Sequence, residues 1–565
     1  MKRRYYILAL VILSLFSLAV LGVRAAPAEE EPTPGVARVS LIHGDVSSMR
    51  GDSGDWVTMT VNAPIVRGDK VSTGDRSQTE IQLDYANVLR LAPRTEAKIA
   101  DLARTRIQVQ IATGLVNFTV LKGSEADVEI DTPNVAVRPL REGSYRIQVN
   151  SESETQVIVR KGEAEVATPQ GSTRVEKNQL ITIQGVEEPQ YRIASAPRRD
   201  EWDEWNKDRD DEIRDARSWR YANHYYTGAH DLDRHGHWAY VPGYDWCWTP
   251  YVNLGWVPYR DGRWVWEPYW GWTWVSYEPW GWAPYHYGRW FWHVNSWYWW
   301  PGYHYYGYYP IWAPAYVSFI GFGFGGRNWH FGLGFGFGSI GWLPLGPYDY
   351  YHPWHGRHNT YNVVNITNIT NITNINNVTN VANGGRGRNT RRRPYVPNVQ
   401  QALNNPHVRR AITSVSAEDF VRGRVPRNPR AIDTETLRQG QVVRGTLPAV
   451  PTRESLQPTD RPVNRASLPA RGDAAEKFFS RRQPPAGPQR FSERAAEIQE
   501  MVRRHNPLET ANREAAAAGN ANAGRNAAGG NPALGAGRSL PSQPREAQRP
   551  GVRNAETPVV PGAQE

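Results

Sequence analysis

Several groups of residues place reactive side chains at short spacing. Glu267 and Glu278 lie eleven residues apart in an aromatic stretch, and two carboxylates flanking a bond are the apparatus of glycoside hydrolysis. His230, His235 and His237, and again His352, His355 and His358, are close enough along the chain to chelate zinc or copper. Cys247 is the single thiol. Gly321, Gly323 and Gly326 satisfy a Gly-x-Gly-x-x-Gly pattern, but Arg327-Asn328-Trp329-His330 and more Gly-Phe follow instead of the helix that a dinucleotide site requires. No Gly-x-Ser-x-Gly elbow occurs, and neither histidine group has the spacing of a defined zinc motif. The residues therefore predict no enzyme, no cofactor and no metal, with Cys247 packed between Trp246 and Trp248.

The remaining chemistry is aromatic stacking. Sixteen of the 24 tryptophans fall between Trp238 and Trp300. They keep a register of 26 residues: Trp238, Trp264 and Trp290 each follow a glycine by two positions, and Trp246 and Trp248 match Trp272 and Trp274. Such repetition marks tandem supersecondary units sharing a core or a face. Bulky residues alternate with small ones and Gly and Pro sit at the joints, which predicts short strands and tight turns. Trp and Tyr at fixed repeat positions read as the core of these units. A ligand face, which would stack sugar rings and bind anionic groups, is expected near Arg260, Tyr269 and His286 at the variable positions, with Tyr285 and with Arg263 and Arg289 beside the register tryptophans. Repeat position places Glu267 and Glu278 in solvent or at turn caps.

These elements sit within a longer plan. Residues 36–193 alternate apolar and polar residues in runs such as Glu80–Leu83, Ile107–Ile111, Tyr145–Val149 and Gln156–Val159, the period of half-buried strands, and they are numerous enough for a closed sandwich or barrel core. Arg67-Gly68-Asp69-Lys70-Val71-Ser72-Thr73-Gly74, Leu89-Arg90-Leu91-Ala92-Pro93, Ile130-Asp131-Thr132-Pro133-Asn134-Val135-Ala136-Val137 and Val159-Arg160-Lys161-Gly162-Glu163 resemble the FecR domain. That resemblance implies a periplasmic or surface β-module. FecR proteins of the iron-signalling type carry a cytoplasmic anti-sigma segment, whereas here only about six residues precede the apolar run, too few for a sigma-binding helix. The Trp/Tyr/Pro repeats with Gly341-Trp342-Leu343-Pro344, Tyr351-His352-Pro353-Trp354 and Tyr361-Asn362-Val363-Val364 resemble the uncharacterised DUF6600-type proteins, which implies an architecture and no activity.

The expected organisation is a signal peptide or N-terminal anchor at 1–28, the FecR-like domain at 36–193, a charged helical connector at 198–235 that is mainly solvated, the aromatic β-repeat module at 236–360, an Asn-Ile-Thr segment at 361–383 and a basic disordered tail at 384–565. Basic residues, an apolar run from Ile7 to Val23 and Ala26-Pro27-Ala28 carry the first assignment. The net charge of +10 belongs to the tail, where 30 Lys and Arg after residue 380 face 16 Asp and Glu. Within the tail, Ser416-Ala417-Glu418-Asp419-Phe420 reads as a capped turn able to fold onto a partner, and Phe478-Phe479 with Glu493–Arg503 as another short helix. Arg-Gly-Asp at 50–52, 67–69 and 471–473 reads as turns. The fold class is mainly β. The functional expectation is a non-catalytic binding or scaffolding protein of the cell envelope, periplasmic or at the surface. Its expected partner is a glycan, peptidoglycan, lipopolysaccharide or envelope protein, with peripheral membrane contact through the tail and no nucleic acid. The alternative is a periplasmic component of FecR-like signal transduction.

Overall fold

The structure is a computed structural model that describes residues 33–303, 308–323, 337–356, 361–366, 396–469 and 477–504. The signal segment, most of the Asn-Ile-Thr run, the third Arg-Gly-Asp and the chain beyond 504 lie outside these residues.

The chain is mainly β. Seventeen strands from Ala37 to Ser195 form two sheets, and the expected runs are all strands. Their inward side chains, including Val39, Ile81, Leu89, Val109, Ile130 and Ile147, make one aliphatic core. The two sheets share the long strand Arg106–Val120. Its first half pairs with Glu96–Ala103, and its second half with Asn87–Leu91 and Gly143–Ser151. The crossing point is Gly114, whose φ of +94° and missing side chain are both needed, because a β carbon there would lie 2.4 Å from Thr95 Oγ1.

The connector helix Glu201–Arg214 begins with a capping box between Asp200 and Asp203. It is docked on the β-domain, which overturns the expectation of a solvated helix. Asp203 accepts from Arg160 at 2.6 Å, Asp210 from Arg90 at 2.7 Å, and Arg209 reaches Glu80 at 2.7 Å. Ile213 is buried on the same side. Burial opposes ionisation of Glu80, yet Arg90 and Arg209 hold its carboxylate below the usual range. The helix charges are thus partners for charges of the sheet.

Three hairpins explain the 26-residue register. Trp238 pairs across strands with Trp248, Trp264 with Trp274, and Trp290 with Trp299. The repeated glycine lies under the second indole of each pair. A β carbon on Gly236 would sit 2.5 Å from Trp248, on Gly262 2.6 Å from Trp274, and on Gly288 2.5 Å from Trp299. The first and third hairpins join edge to edge through Trp248 and Trp299, and the central hairpin stands as its own two-stranded sheet. The third turns on Val294 and Asn295, both with positive φ, the geometry of a two-residue hairpin loop.

The tail assignment is corrected for residues 396–469 and 477–504. Strands Thr413–Ser416 and Gln441–Gly445 enter a five-stranded sheet with Val317–Phe322, Ser339–Pro344 and Tyr361–Asn365. Val399, Ile412, Phe420, Leu437 and Leu456 fill the same buried cluster as the tryptophans. The segment folds because the hairpins leave an indole surface that needs covering. Ser416 caps the helix Ala417–Val421 as expected, and the partner it folds onto is this chain's own aromatic core. A helix spans Phe491–Arg504, whereas Phe478-Phe479 is not helical. Gly321 receives the ring of Phe337, whose Cδ1 would lie 2.3 Å from an added β carbon, so the bare face of this strand accommodates an aromatic ring.

Candidate functional site

The six candidate ligand residues do not share a surface. Tyr285 and His286 are buried. The Tyr285 hydroxyl donates to Glu278. His286 places Nδ1 2.8 Å from the Ala313 carbonyl and stacks on Trp312. Burial pushes its pKa down to about 3, so the ring is neutral. Arg263 is buried and pairs with Asp460 at 2.8 Å. Arg289 is half-buried, 4.0 Å over the Tyr316 ring, and Arg260 donates to the Arg410 carbonyl. Only Tyr269, at the tip of the central hairpin, is exposed. The other positions do not form an outward face, because segments from residue 312 onward cover Arg260, Arg263, His286 and Arg289. Other aromatics are open to solvent, notably Tyr240, Trp246 and Tyr251 on the first hairpin.

Cys247 is packed as expected, and burial pushes its thiol up to about 12, which removes the thiolate that nucleophilic attack requires. His230 is buried with Nε2 3.3 Å from Asp231. Among the described residues no group of three or more His, Cys, Asp or Glu is arranged to hold a metal; His358 lies outside them.

The densest polar chemistry lies where the β-domain meets the aromatic module. The first two Arg-Gly-Asp turns pack on each other: Gly51 N donates to Asp69 Oδ1 at 2.8 Å, and a β carbon on Gly51 would lie 2.6 Å from the carbonyl carbon of Gly68. This close approach points Arg50 out of the β-domain into the central hairpin. Its Nη1 and Nη2 donate to the two oxygens of Glu267 at 2.8 and 3.0 Å, and Nη2 also donates to the Trp266 carbonyl at 2.9 Å. Asp52 accepts from Arg50 Nε at 3.1 Å. Arg50, Asp52, Asp69 and Glu267 are all buried, so one guanidinium faces three carboxylates. Burial outweighs the pull of Arg50 and pushes Glu267 up to about 8 and Asp69 up to about 6. Glu267 therefore faces neither solvent nor a turn cap.

Two further contacts complete the joint. Arg38 Nη2 donates to Asp231 at 2.6 Å, and Asn62 Nδ2 donates to the carbonyls of Ser276 and Glu278 at 3.2 and 2.7 Å. The Glu278 carboxyl accepts from Trp256 and Tyr285, and burial pushes it up to about 7, which likewise corrects its expected exposure. The sequence signal for the joint was the first Arg-Gly-Asp turn, whose partner in the repeats lies 217 residues away. A separate cleft of about 350 Å3, lined by Tyr85, Lys122, Lys161, Ile213, Trp219 and His224 among others, opens between the β-domain and the connector.

Among the described residues no helix is long and apolar enough to cross a membrane. No curated protein matches the chain. Two crystal structures from Parabacteroides distasonis, at 2.50 and 1.65 Å resolution and each described as a "putative anti-sigma factor", align with 19% identity and a TM-score of 0.21 over 22% of this chain. The chain spans 59% of the length of each. Residues 69–165 match the family described as FecR protein, and residues 229–349 match a family of unknown function, DUF6600. The chain thus carries a FecR match within its β-domain, followed by a DUF6600 match within its aromatic module, and Arg50 of the β-domain, ahead of the FecR match, joins the two regions through Glu267.

Proposed function

We propose that this chain is a non-catalytic regulatory protein of the cell envelope, exported by its N-terminal segment, that serves FecR-type signal transduction through a membrane or signalling partner. The FecR match over residues 69–165 supports this reading, and the observation that carries it is the Arg50–Glu267 joint. A buried arginine that donates to the Glu267 carboxyl group and to the Trp266 carbonyl fixes one relative placement of two surfaces, and its removal leaves buried polar atoms unsatisfied, so an event on the aromatic module is passed to the FecR domain as a movement of one body. The glycan-binding reading fares worse, because indole faces serve stacking only when they are open and Trp248, Trp264, Trp272, Trp274, Trp290 and Trp299 are fully buried.

The test compares the transcriptomes of cells producing the natural chain, lacking it, or producing Arg50→Ala at equal level. Arg50→Ala is expected to reproduce the transcriptional change caused by loss of the chain. Unchanged transcription on loss of the chain, together with retention of the purified protein on peptidoglycan or lipopolysaccharide, would replace signalling by the scaffolding reading.

A further inference from the structure

The FecR domain carries a polar stripe on the outer face of its parallel strand pair. Arg106–Gln110 runs beside Asp127–Asp131, placing Gln108 against Glu129 and Gln110 against Asp131, while Ile107, Val109, Val128 and Ile130 point into the core. Four uncharged or acidic side chains side by side on an open sheet face belong in solvent. Here Gln108 and Asp131 are 0% exposed and Glu129 is 6% exposed.

The cover is a six-residue strap, residues 477–482, that lies along the stripe. Phe479 N donates to the Thr132 carbonyl at 2.9 Å, and Ser480 Oγ to Asp131 Oδ2 at 2.6 Å. The backbone N–H groups of Arg481 and Arg482 both donate to Glu129 Oε1 at 3.0 Å, and Gln108 Nε2 donates to the Arg482 carbonyl at 2.7 Å. The guanidinium of Arg481 pairs with Glu165 and that of Arg482 with Asp127. Charge-assisted bonds of this kind give register and specificity.

Two observations separate this arrangement from ordinary core structure. The site is built and buried, yet none of residues 477–482 is itself buried and its phenylalanines, Phe478 and Phe479, are only half-buried, so the strap lies on the surface of the domain rather than in its core. In addition, Asp131 Oδ1 and Gln108 Oε1 are buried without a hydrogen-bond partner, so two acceptors remain that the strap leaves unfilled, each at a cost. A segment with more donors at those positions would satisfy the stripe better than the strap does.

We propose that the Gln108–Glu129–Asp131 stripe is a binding site for an extended, arginine-bearing peptide segment of a partner protein, and that residues 477–482 are its resident occupant in cis. The recognition elements are a hydroxyl or amide donor at the place of Ser480, two consecutive free backbone N–H groups for Glu129, and two arginines for the rim acids Asp127 and Glu165. The inference stands on the stripe and its occupant alone, whether or not the chain relays a signal.

The test uses the full chain and a fluorescent synthetic peptide with the sequence of residues 477–483, followed by anisotropy. In a variant combining Ser480→Ala, Arg481→Ala and Arg482→Ala the peptide is expected to bind about tenfold more tightly than to the natural chain, the factor by which a strap closed about nine-tenths of the time masks its site. Adding Glu129→Gln and Asp131→Asn to that variant should abolish binding. Equal binding to the natural and the open chain, or none to an open chain with natural near-UV circular dichroism, would overturn the proposal. Hydrogen exchange on the natural chain provides a second route that needs no variant. The amides of Arg481 and Arg482 should exchange far faster than those of Ile107 to Ile111, and equal protection would make the strap a fixed part of the domain.

Discussion

The β-domain and the aromatic module solve the same problem with opposite materials. The first buries Val, Ile and Leu with one Phe and one Tyr and no tryptophan, and the second buries indoles. An aliphatic side chain brings no polar atom, so alternation along each strand is enough to close the core. An indole brings an N–H that must find an acceptor. Trp248 donates to Leu232, Trp290 to Pro284, Trp299 to Tyr287 and Trp342 to Tyr259. Buried N–H groups without a partner occur at Trp282, Trp297 and Trp312, and four more, those of Trp264, Trp270, Trp272 and Trp274, are concentrated in the central hairpin and its loop. That hairpin is also the one that stands outside the four-stranded sheet and the one held by Arg50. The self-contained domain thus secures the costly part of the dependent one, and the segments from residue 396 onward close the rest.

The largest expected break in this comparison is a chain ending at residue 395. It should lose the near-UV circular dichroism of ordered tryptophans while keeping the strand signal of residues 37–195; retained tryptophan dichroism would show that the hairpins need no cover. Next, Trp264→Ala should destabilise by about 3–5 kcal/mol, against about 0.5–1.5 kcal/mol for Ile130→Val in the β-domain, read from denaturant midpoints. Trp264 touches Trp274, Phe319, Trp342 and Phe420, so its loss opens a cavity shared by three segments.

A smaller effect is pH-dependent. Glu267 has its folded pKa raised from 4.5 to about 8, so the folded state holds a proton that the unfolded chain releases across that window. Its contribution to stability is therefore greatest in acid and is lost as pH rises towards 8, at no more than about 1.4 kcal/mol per pH unit for one proton. In Glu267→Gln the midpoint temperature should fall less between about pH 5 and pH 8 than in the natural chain, as measured by calorimetry. An equal or steeper fall would mean that Glu267 is ionised throughout.

Much of this was legible from residue order. Strands such as Arg106–Val120 follow from alternation, and the hairpins from a glycine two places before each register tryptophan. Neither the docked connector nor the joint was legible, because the meaning of an acid depends on its partner: Asp210 binds Arg90 across 120 residues and Glu267 binds Arg50 across 217. The folded part of the tail escaped for a different reason. Its Arg, Pro and Asn content conceals a sparse set of apolar residues, Val399, Ile412, Phe420, Leu437 and Leu456, which make sense only beside an indole surface already formed. Three of its arginines, Arg453, Arg481 and Arg482, pair with Asp55, Glu165 and Asp127 of the β-domain.

Arg50 makes the FecR domain and the aromatic module behave as one body. Calorimetry of the natural chain and of Arg50→Ala tests this most directly. The natural chain should unfold the two regions in one transition, and Arg50→Ala, which leaves the carboxyl groups of Asp52, Asp69 and Glu267 buried without their shared guanidinium, should split it, with the aromatic module melting first. Two transitions already present in the natural chain and unmoved by Arg50→Ala would show that the two regions fold independently of this joint.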